Sequence, residues 1–332
     1  MMAPWIARQT QALLAQRGHA WLLQGPSGLG QYELALALVS AWLCEQPTAQ
    51  GACGHCPSCH AIEVRTHADL AVLMPETQML ELGWPLSEKA QADIDDKKRK
   101  PSKEIRVEAM RDLVEFAQRT DARGRGKAVL VFPAERMNAV TANALLKTLE
   151  EPPGDVRFVL ATEAAHQLLP TIRSRCQTHT LAWPVGAEAL AWLAGQGVEA
   201  PVAEALLRSA GGRPSDALRQ NGVGLSPAWW AALPKAMQQG DASHLSDLTP
   251  AQAIDALQKL CHDLVLRGSG AEPRFFMATQ LADCHASVMA LTDWFKRLMQ
   301  SARTAEHPFN AGLMLEALAN DAQQVLNARD AA

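Results

Sequence analysis

The stretch AWLLQGPSGLGQYELALALVSAWL, residues 20–43, decides the fold. Its opening residues are mostly apolar, Gly25 and Pro26 end the run, and Leu34, Leu38 and Trp42 then recur every four residues. That pattern is a buried strand, a glycine turn and a helix with one apolar stripe. The same alternation continues downstream. Residues 71–74 read as a second short strand, and Val107, Met110, Leu113, Val114 and Ala117 form a helical stripe. Residues 128–132 are a buried strand, 141–149 a helix stopped by Pro152 and Pro153, and 156–161 another strand. Strands alternating with helices predict an α/β fold with a mostly parallel sheet covered on both faces.

Beyond residue 184 no strand pattern remains. Ser226 precedes Pro227 as a helix cap, Thr249-Pro250-Ala251-Gln252 is a capping box, and Ile254, Leu257, Leu260 and Leu264 mark an amphipathic helix. The C-terminal third is expected to be all helical. Between the two regimes of the first half, residues 75–104 show little periodicity and include DIDDKKRKPSK, where blocks of opposite charge lie side by side. A flexible surface insertion is expected there.

Composition narrows the function classes. With 332 residues, 48% hydrophobic and 20% charged, the chain is neither wholly disordered nor fibrous, and two or three domains fit its length. A net charge of −4 argues against a protein whose main work is coating nucleic acid. The longest apolar stretch, residues 34–44, is too short for a bilayer span, and the N-terminus lacks a secretory pattern, so a cytoplasmic protein without membrane association is expected.

Residues 25–32 read GPSGLGQY against the phosphate-binding template G-x-x-x-x-G-K-[ST]. Gly25, Gly28 and Gly30 keep the turn, but the lysine position is Gln31 and the hydroxyl position is Tyr32. A neutral amide cannot replace an ammonium facing two phosphates, and a tyrosine ring fills the space a Mg²⁺ ion would use. The strand at 128–132 runs into Pro133 where an acidic pair would hold the metal, and Glu135 comes two residues too late. No functional ATP or Mg²⁺ site is expected, because phosphoryl transfer draws its rate from those groups.

Cys44, Cys53, Cys56 and Cys59 are spaced x8, x2 and x2. Four thiolates so close suit a closed structural Zn²⁺ site. An iron–sulfur cluster, a mixed site using His55 or His60, and an empty site are the alternatives. Cys176, Cys261 and Cys284 are scattered and read as small buried hydrophobes.

The segments TANALLKTLEEPP (141–153), FVLAT (158–162) and TIRSRC (171–176), together with the cysteines behind the glycine-loop helix, resemble the AAA+ clamp-loader subunits of the bacterial DNA polymerase III holoenzyme. The resemblance implies an AAA+ domain over 1–183 with a zinc module at 44–59, a small helical lid over 184–224 and a helical collar over 225–332. Through such collars five subunits form an open ring that places the sliding clamp on primer–template DNA. It also implies a gamma/tau ATPase and a delta subunit as partners in a hetero-pentamer. In that family one subunit binds ATP and its neighbour inserts the arginine of a Ser-Arg-Cys motif, which here is Arg175, with Arg173 nearby. Thr162 falls at the phosphate-sensing position, where it is expected only to pack. In GGRPSDAL (211–218) Ser215 stands where active members carry an arginine. A spared finger beside a spoiled pocket implies a non-hydrolysing member of the complex. The competing readings are a self-sufficient ATPase motor subunit, which Gln31, Tyr32, Phe132 and Pro133 oppose, and a DNA-reading zinc module.

Overall fold

Strands that must be buried on both faces are apolar throughout, and the five parallel strands of this protein obey that rule at the centre of the sheet and relax it at the edges. In the computed structural model, which describes residues 2–328 except 282, 283, 285, 306, 308 and 309, the strands are β1 (Ala20–Gln24), β2 (Leu70–Leu73), β3 (Lys127–Val131), β4 (Val156–Thr162) and β5 (Gln177–Thr180). Their order across the sheet is β2-β3-β4-β1-β5. Every residue of β3 is buried, whereas edge strand β5 is polar and largely exposed. The chain divides into two compact units, Met1–Pro184 and Val185–Ala332.

The first unit carries α1 (Pro4–Leu14), α2 (Gln31–Leu43), α3 (Pro57–Glu63), α4 (Glu76–Glu81), α5 (Glu88–Asp95), α6 (Val107–Gln118), α7 (Ala139–Glu150) and the single turn α8 (Pro170–Arg173). Helix α2 lies over β3 and β4, with Leu34, Ala35 and Leu38 fully buried. On another layer Met110 and Leu113 of α6 and Leu145 and Leu149 of α7 join Leu22, Val129, Phe158 and Leu160 in one apolar cluster. The glycine turn is thereby fixed at the carboxyl end of a central strand, outside which ligands bind in open α/β sheets.

The second unit contains α9 (Gly186–Gly195), α10 (Ala200–Ser209), α11 (Pro214–Gly222), α12 (Pro227–Gln239), α13 (Pro250–Gly268), α14 (Val288–Thr304) and α15 (Ala311–Asn327). Leu193, Leu206, Leu233, Leu257, Trp294 and Leu318 belong to one core running through it. The Ser226 side chain accepts from Trp229 N–H, and Thr249 with Gln252 forms the reciprocal capping box. A parallel sheet with helices on both faces, followed by helices alone among the described residues, is the α/β architecture with a helical C-terminal part that the sequence predicts. None of the helices among the described residues is long and apolar enough to cross a membrane.

Three elements differ from the sequence reading. Helix α1 and strand β5 carried no clear periodic signal, because α1 buries polar Gln9 and Thr10 and β5 is an edge strand of alternating Gln, Thr and His. The stretch expected to be a flexible surface insertion contains the helices α4 and α5, which no periodicity announced. Charge pairing and one indole organise it where an apolar face is missing. The Glu76 carboxylate accepts from Arg99 Nη2 at 2.9 Å and Ser102 N–H at 2.8 Å, and pairs with Arg106 at 3.2 Å, while Trp84, in the loop between α4 and α5, is buried with Arg65 over its ring.

Candidate functional site

The glycine loop enters α2 through Gly30, whose φ of +100° favours glycine, and its interior is filled by the chain itself. Gln31, 2% exposed, turns its side chain back into the loop. Its Nε2 donates to the carbonyl oxygens of Gly25 at 2.7 Å and Pro26 at 2.6 Å. Both carbonyls are thus satisfied by a neutral donor that carries no charge toward a phosphate. From outside, α1 closes over the loop. The Trp5 indole donates to Leu29 O at 2.9 Å, and a Cβ at Gly30 would meet Ile6 Cδ1 at 2.7 Å.

Tyr32, at the hydroxyl position, points its phenol into protein. The Trp84 indole donates to its oxygen at 2.8 Å and its ring lies 5.5 Å from that of Phe132. Burial raises the phenol above its usual range, so it stays protonated and neutral. Glu135, the nearest acid to the missing acidic pair, serves a different purpose. It accepts from Thr162 Oγ1 at 2.7 Å and from Glu163 N–H at 3.1 Å. Thr162, fully buried, therefore does more than pack, since its hydroxyl anchors the end of β4 to the loop after β3.

Arg175 follows α8, whose Ile172 is buried as an anchor. Its guanidinium donates through Nη2 to Glu150 Oε2 at 3.0 Å and through Nη1 to Thr171 O at 3.1 Å. The side chains are 31% and 59% exposed, so this is a surface ion pair of the kind worth about 0–1 kcal/mol, easily exchanged for another anion. Arg173, two residues earlier at the end of α8, is exposed. In the second unit, Ser215 lies on α11, and Arg213 before it pairs with Asp216 at 3.0 Å.

The four clustered cysteines come from separate local devices. Cys44 caps the C-terminus of α2 in extended conformation, Cys53 donates its N–H to Cys44 Sγ, Cys56 is the N-cap of α3, and Cys59 lies in its first turn. Their sulfurs are 3.7 Å (Cys44–Cys59), 3.8 Å (Cys44–Cys56) and 3.9 Å (Cys53–Cys59) apart, and all four lie within 4.8 Å of one another. Disulfides need about 2.05 Å. A tetrahedron with metal–sulfur bonds of 2.3 Å has edges of about 3.8 Å, so the cradle fits a tetrahedral thiolate-bound ion. The four cysteines could hold a metal ion. Although burial opposes ionisation at Cys56, N–H groups of Cys59 and Glu45 and the neighbouring thiols lower its pKa to about 6, giving one thiolate near neutrality. His55 bonds Cys53 O and is exposed, His60 faces Glu63 in solvent, and neither joins the sulfur group. Cys261 and Cys284 are buried and Cys176 is partly so; burial pushes the Cys176 and Cys261 thiols up to about 12.

A family model described as "DNA polymerase III, delta subunit" matches residues 7–184, more than half of the chain. The chain belongs to that family. The delta' subunit of Pseudomonas aeruginosa DNA polymerase III is 40% identical over 213 residues, 64% of this chain and 58% of that protein. Its Escherichia coli counterpart is 36% identical over 221 residues, 65% of this chain and 59% of that protein. The chain thus spans about three fifths of the length of these delta' relatives. Similarity extends to the Escherichia coli tau subunit, 35% identical over 158 residues, 48% of this chain and 20% of that protein. For a polymerase III delta-family chain, sequence reasoning missed Trp5, Ile6, Trp84 and Glu150 around the loop and the arginine. The signal for Trp84 was present, an indole in a stretch without helical or strand periodicity. Glu150 was visible only as part of the quoted 141–153 segment.

Proposed function

We propose that this chain is a non-hydrolysing, stator-like subunit of a bacterial clamp loader, which lends Arg175 to the ATP held by a neighbouring subunit. The observation that carries this reading is the Gln31 amide bound to the two loop carbonyls, where a triphosphate site needs an ammonium. The buried Tyr32 phenol and the engagement of Glu135 with Thr162 support it, because the hydroxyl and acid that hold Mg²⁺ are then both missing. Arg175 keeps a forked, permanently charged donor on a weak surface pair with Glu150, so it can leave that carboxylate for a more highly charged γ-phosphate. An arginine supplied across an interface is worth about 10³ to 10⁵ in rate.

In this proposal the gamma/tau ATPase and delta subunits are partners in a hetero-pentamer, and the sliding clamp and primer–template DNA are reached through that complex in the cytoplasm. The lid covers 184–224 and the collar 225–332, of which 282, 283, 285, 306, 308, 309 and 329–332 lie outside the described residues. A zinc ion held by Cys44, Cys53, Cys56 and Cys59 would cross-link the end of α2 to α3. Four protein thiolates leave no ligand position for water, so its role is structural.

Reconstitution with the ATPase and delta subunits tests the reading. Arg175→Ala should assemble normally and lower ATP turnover, with Arg175→Lys only partly restoring it because a point charge lacks the fork. Unchanged turnover in a fully assembled Arg175→Ala complex, or magnesium-dependent hydrolysis by the purified chain alone, would refute it.

A further inference from the structure

Strand β2 ends the sheet, separated from the glycine loop's strand by β3 and β4, and its outer edge is open. Ala128 N–H donates to Asp69 O and Phe132 N–H to Leu73 O, so odd-numbered residues of this stretch point toward β3. Alternation along a parallel strand turns Val72 the other way. Its N–H and C=O meet no hydrogen-bond partner among the described residues. Proteins normally cover or blunt such an edge.

A groove of about 560 Å³ runs along it, with Val72, Met79, Leu86, Leu113 and Phe116 among its apolar lining. Its charges are not balanced. Glu76 and Asp93 are already matched by Arg99 and Arg106. The remaining ionised lining residues are Glu104, Glu108 and Asp112 against Lys89. Glu108 and Asp112 stand one turn apart on α6, along one wall.

We propose that this edge docks an extended segment of a partner protein, which adds to the sheet beside β2 as a further strand. Main-chain bonds to Val72 supply register, an aliphatic side chain fills the apolar floor, and a Lys or Arg of the segment faces Glu108 and Asp112. At about 3.3 Å per residue, the four residues of β2 offer about 13 Å of edge, enough for four or five residues of the segment. Nucleic acid would meet a surplus of carboxylates. A second copy of this chain would bring the same acidic wall against itself, so a basic and apolar peptide is the complementary occupant.

The test is selection of a random decapeptide library on the full chain, followed by anisotropy titrations of the enriched peptide. Enrichment of Lys or Arg within two positions of an aliphatic residue is expected. Val72→Pro removes the outward N–H, which an edge strand tolerates, keeps an apolar side chain of similar size, and should weaken binding at least tenfold. The pair Glu108→Lys and Asp112→Lys should do the same and reverse the charge preference. Should Val72→Pro fail to fold, hydrogen exchange on the wild type decides, with the Val72 amide slowed at least tenfold by the peptide. Absence of a basic and apolar consensus overturns the proposal. So does a peptide whose affinity survives the charge reversal and leaves Val72 exchange unchanged. Because binding to the chain alone is read, the outcome is independent of any role for Arg175.

Discussion

Replacing Gln31 by Met keeps the volume of the side chain and deletes its only donor, which makes it the sharpest probe of the closed loop. In the structure Nε2 satisfies two carbonyl oxygens, those of Gly25 and Pro26, from a position 2% exposed. A hydrogen bond contributes about 1 kcal/mol net, and a carbonyl shut off from water and stripped of its partner costs about 1–3 kcal/mol in all. Water entering from the Pro26 side would offset part of this, so the expected loss is about 2–4 kcal/mol. That corresponds to opening of the β1–α2 region made about 30- to 700-fold more frequent. The assay is native-state hydrogen exchange on the β1 and α2 amides, since the two units need not unfold together and a single melting curve would mix them. Gln31→Glu should be worse than Met, because a carboxylate would face two carbonyl oxygens with no proton to offer. An exchange change below about twofold in Gln31→Met, or a Glu variant more stable than the Met one, would refute the reasoning.

Gly30→Ala combines a φ of +100° with a Cβ 2.7 Å from Ile6 Cδ1, and should lose about 2–4 kcal/mol of urea stability, of which Ile6→Val recovers the steric part alone. The purified chain should carry one zinc, and Cys56→Ser should lose it and lower the melting temperature; atomic absorption reads the metal, and stoichiometric zinc in the variant would exclude the four-thiolate site. Burial opposes but does not overcome the Arg99, Ser102 and Arg106 donors that hold the Glu76 carboxyl below its usual range. Its stabilisation is therefore full above the unfolded value of about 4.5 and is lost as pH falls through the lower folded value; Glu76→Gln should flatten this acid limb of proteolytic protection over residues 75–104. Asp263, fully buried, accepts from the N–H groups of Arg274, Phe275 and Phe276, so Asp263→Ala should expose that loop to protease and cost about 3 kcal/mol or more in the second unit.

Local rules made much of this protein legible in its residues. Period and punctuation placed β1, the glycine turn and α2, because a strand buried on both faces must be apolar and a helix on a sheet must carry a stripe. Caps at Ser226 and Thr249 announced two helices of the second unit, since a capping side chain reaches only its own first turn. The cysteine spacing placed four sulfurs within reach of one ion for the same reason, being confined to two helix ends and a short loop. The charges missing at Gln31 and Tyr32 needed no coordinates at all.

Packing alone decided what those positions do instead. Trp5 reaches Leu29 across 24 residues of chain, Thr162 reaches Glu135 across 27, Arg175 reaches Glu150 across 25 and Trp84 reaches Tyr32 across 52. Each pair exists only after the sheet has assembled in the order β2-β3-β4-β1-β5, which no window of the sequence contains. The helices of residues 75–104 belong to the same class, because ion pairs and a single indole hold them where periodicity is missing. A residue's partner in sequence follows from geometry along one element, whereas its partner in space depends on how the elements meet.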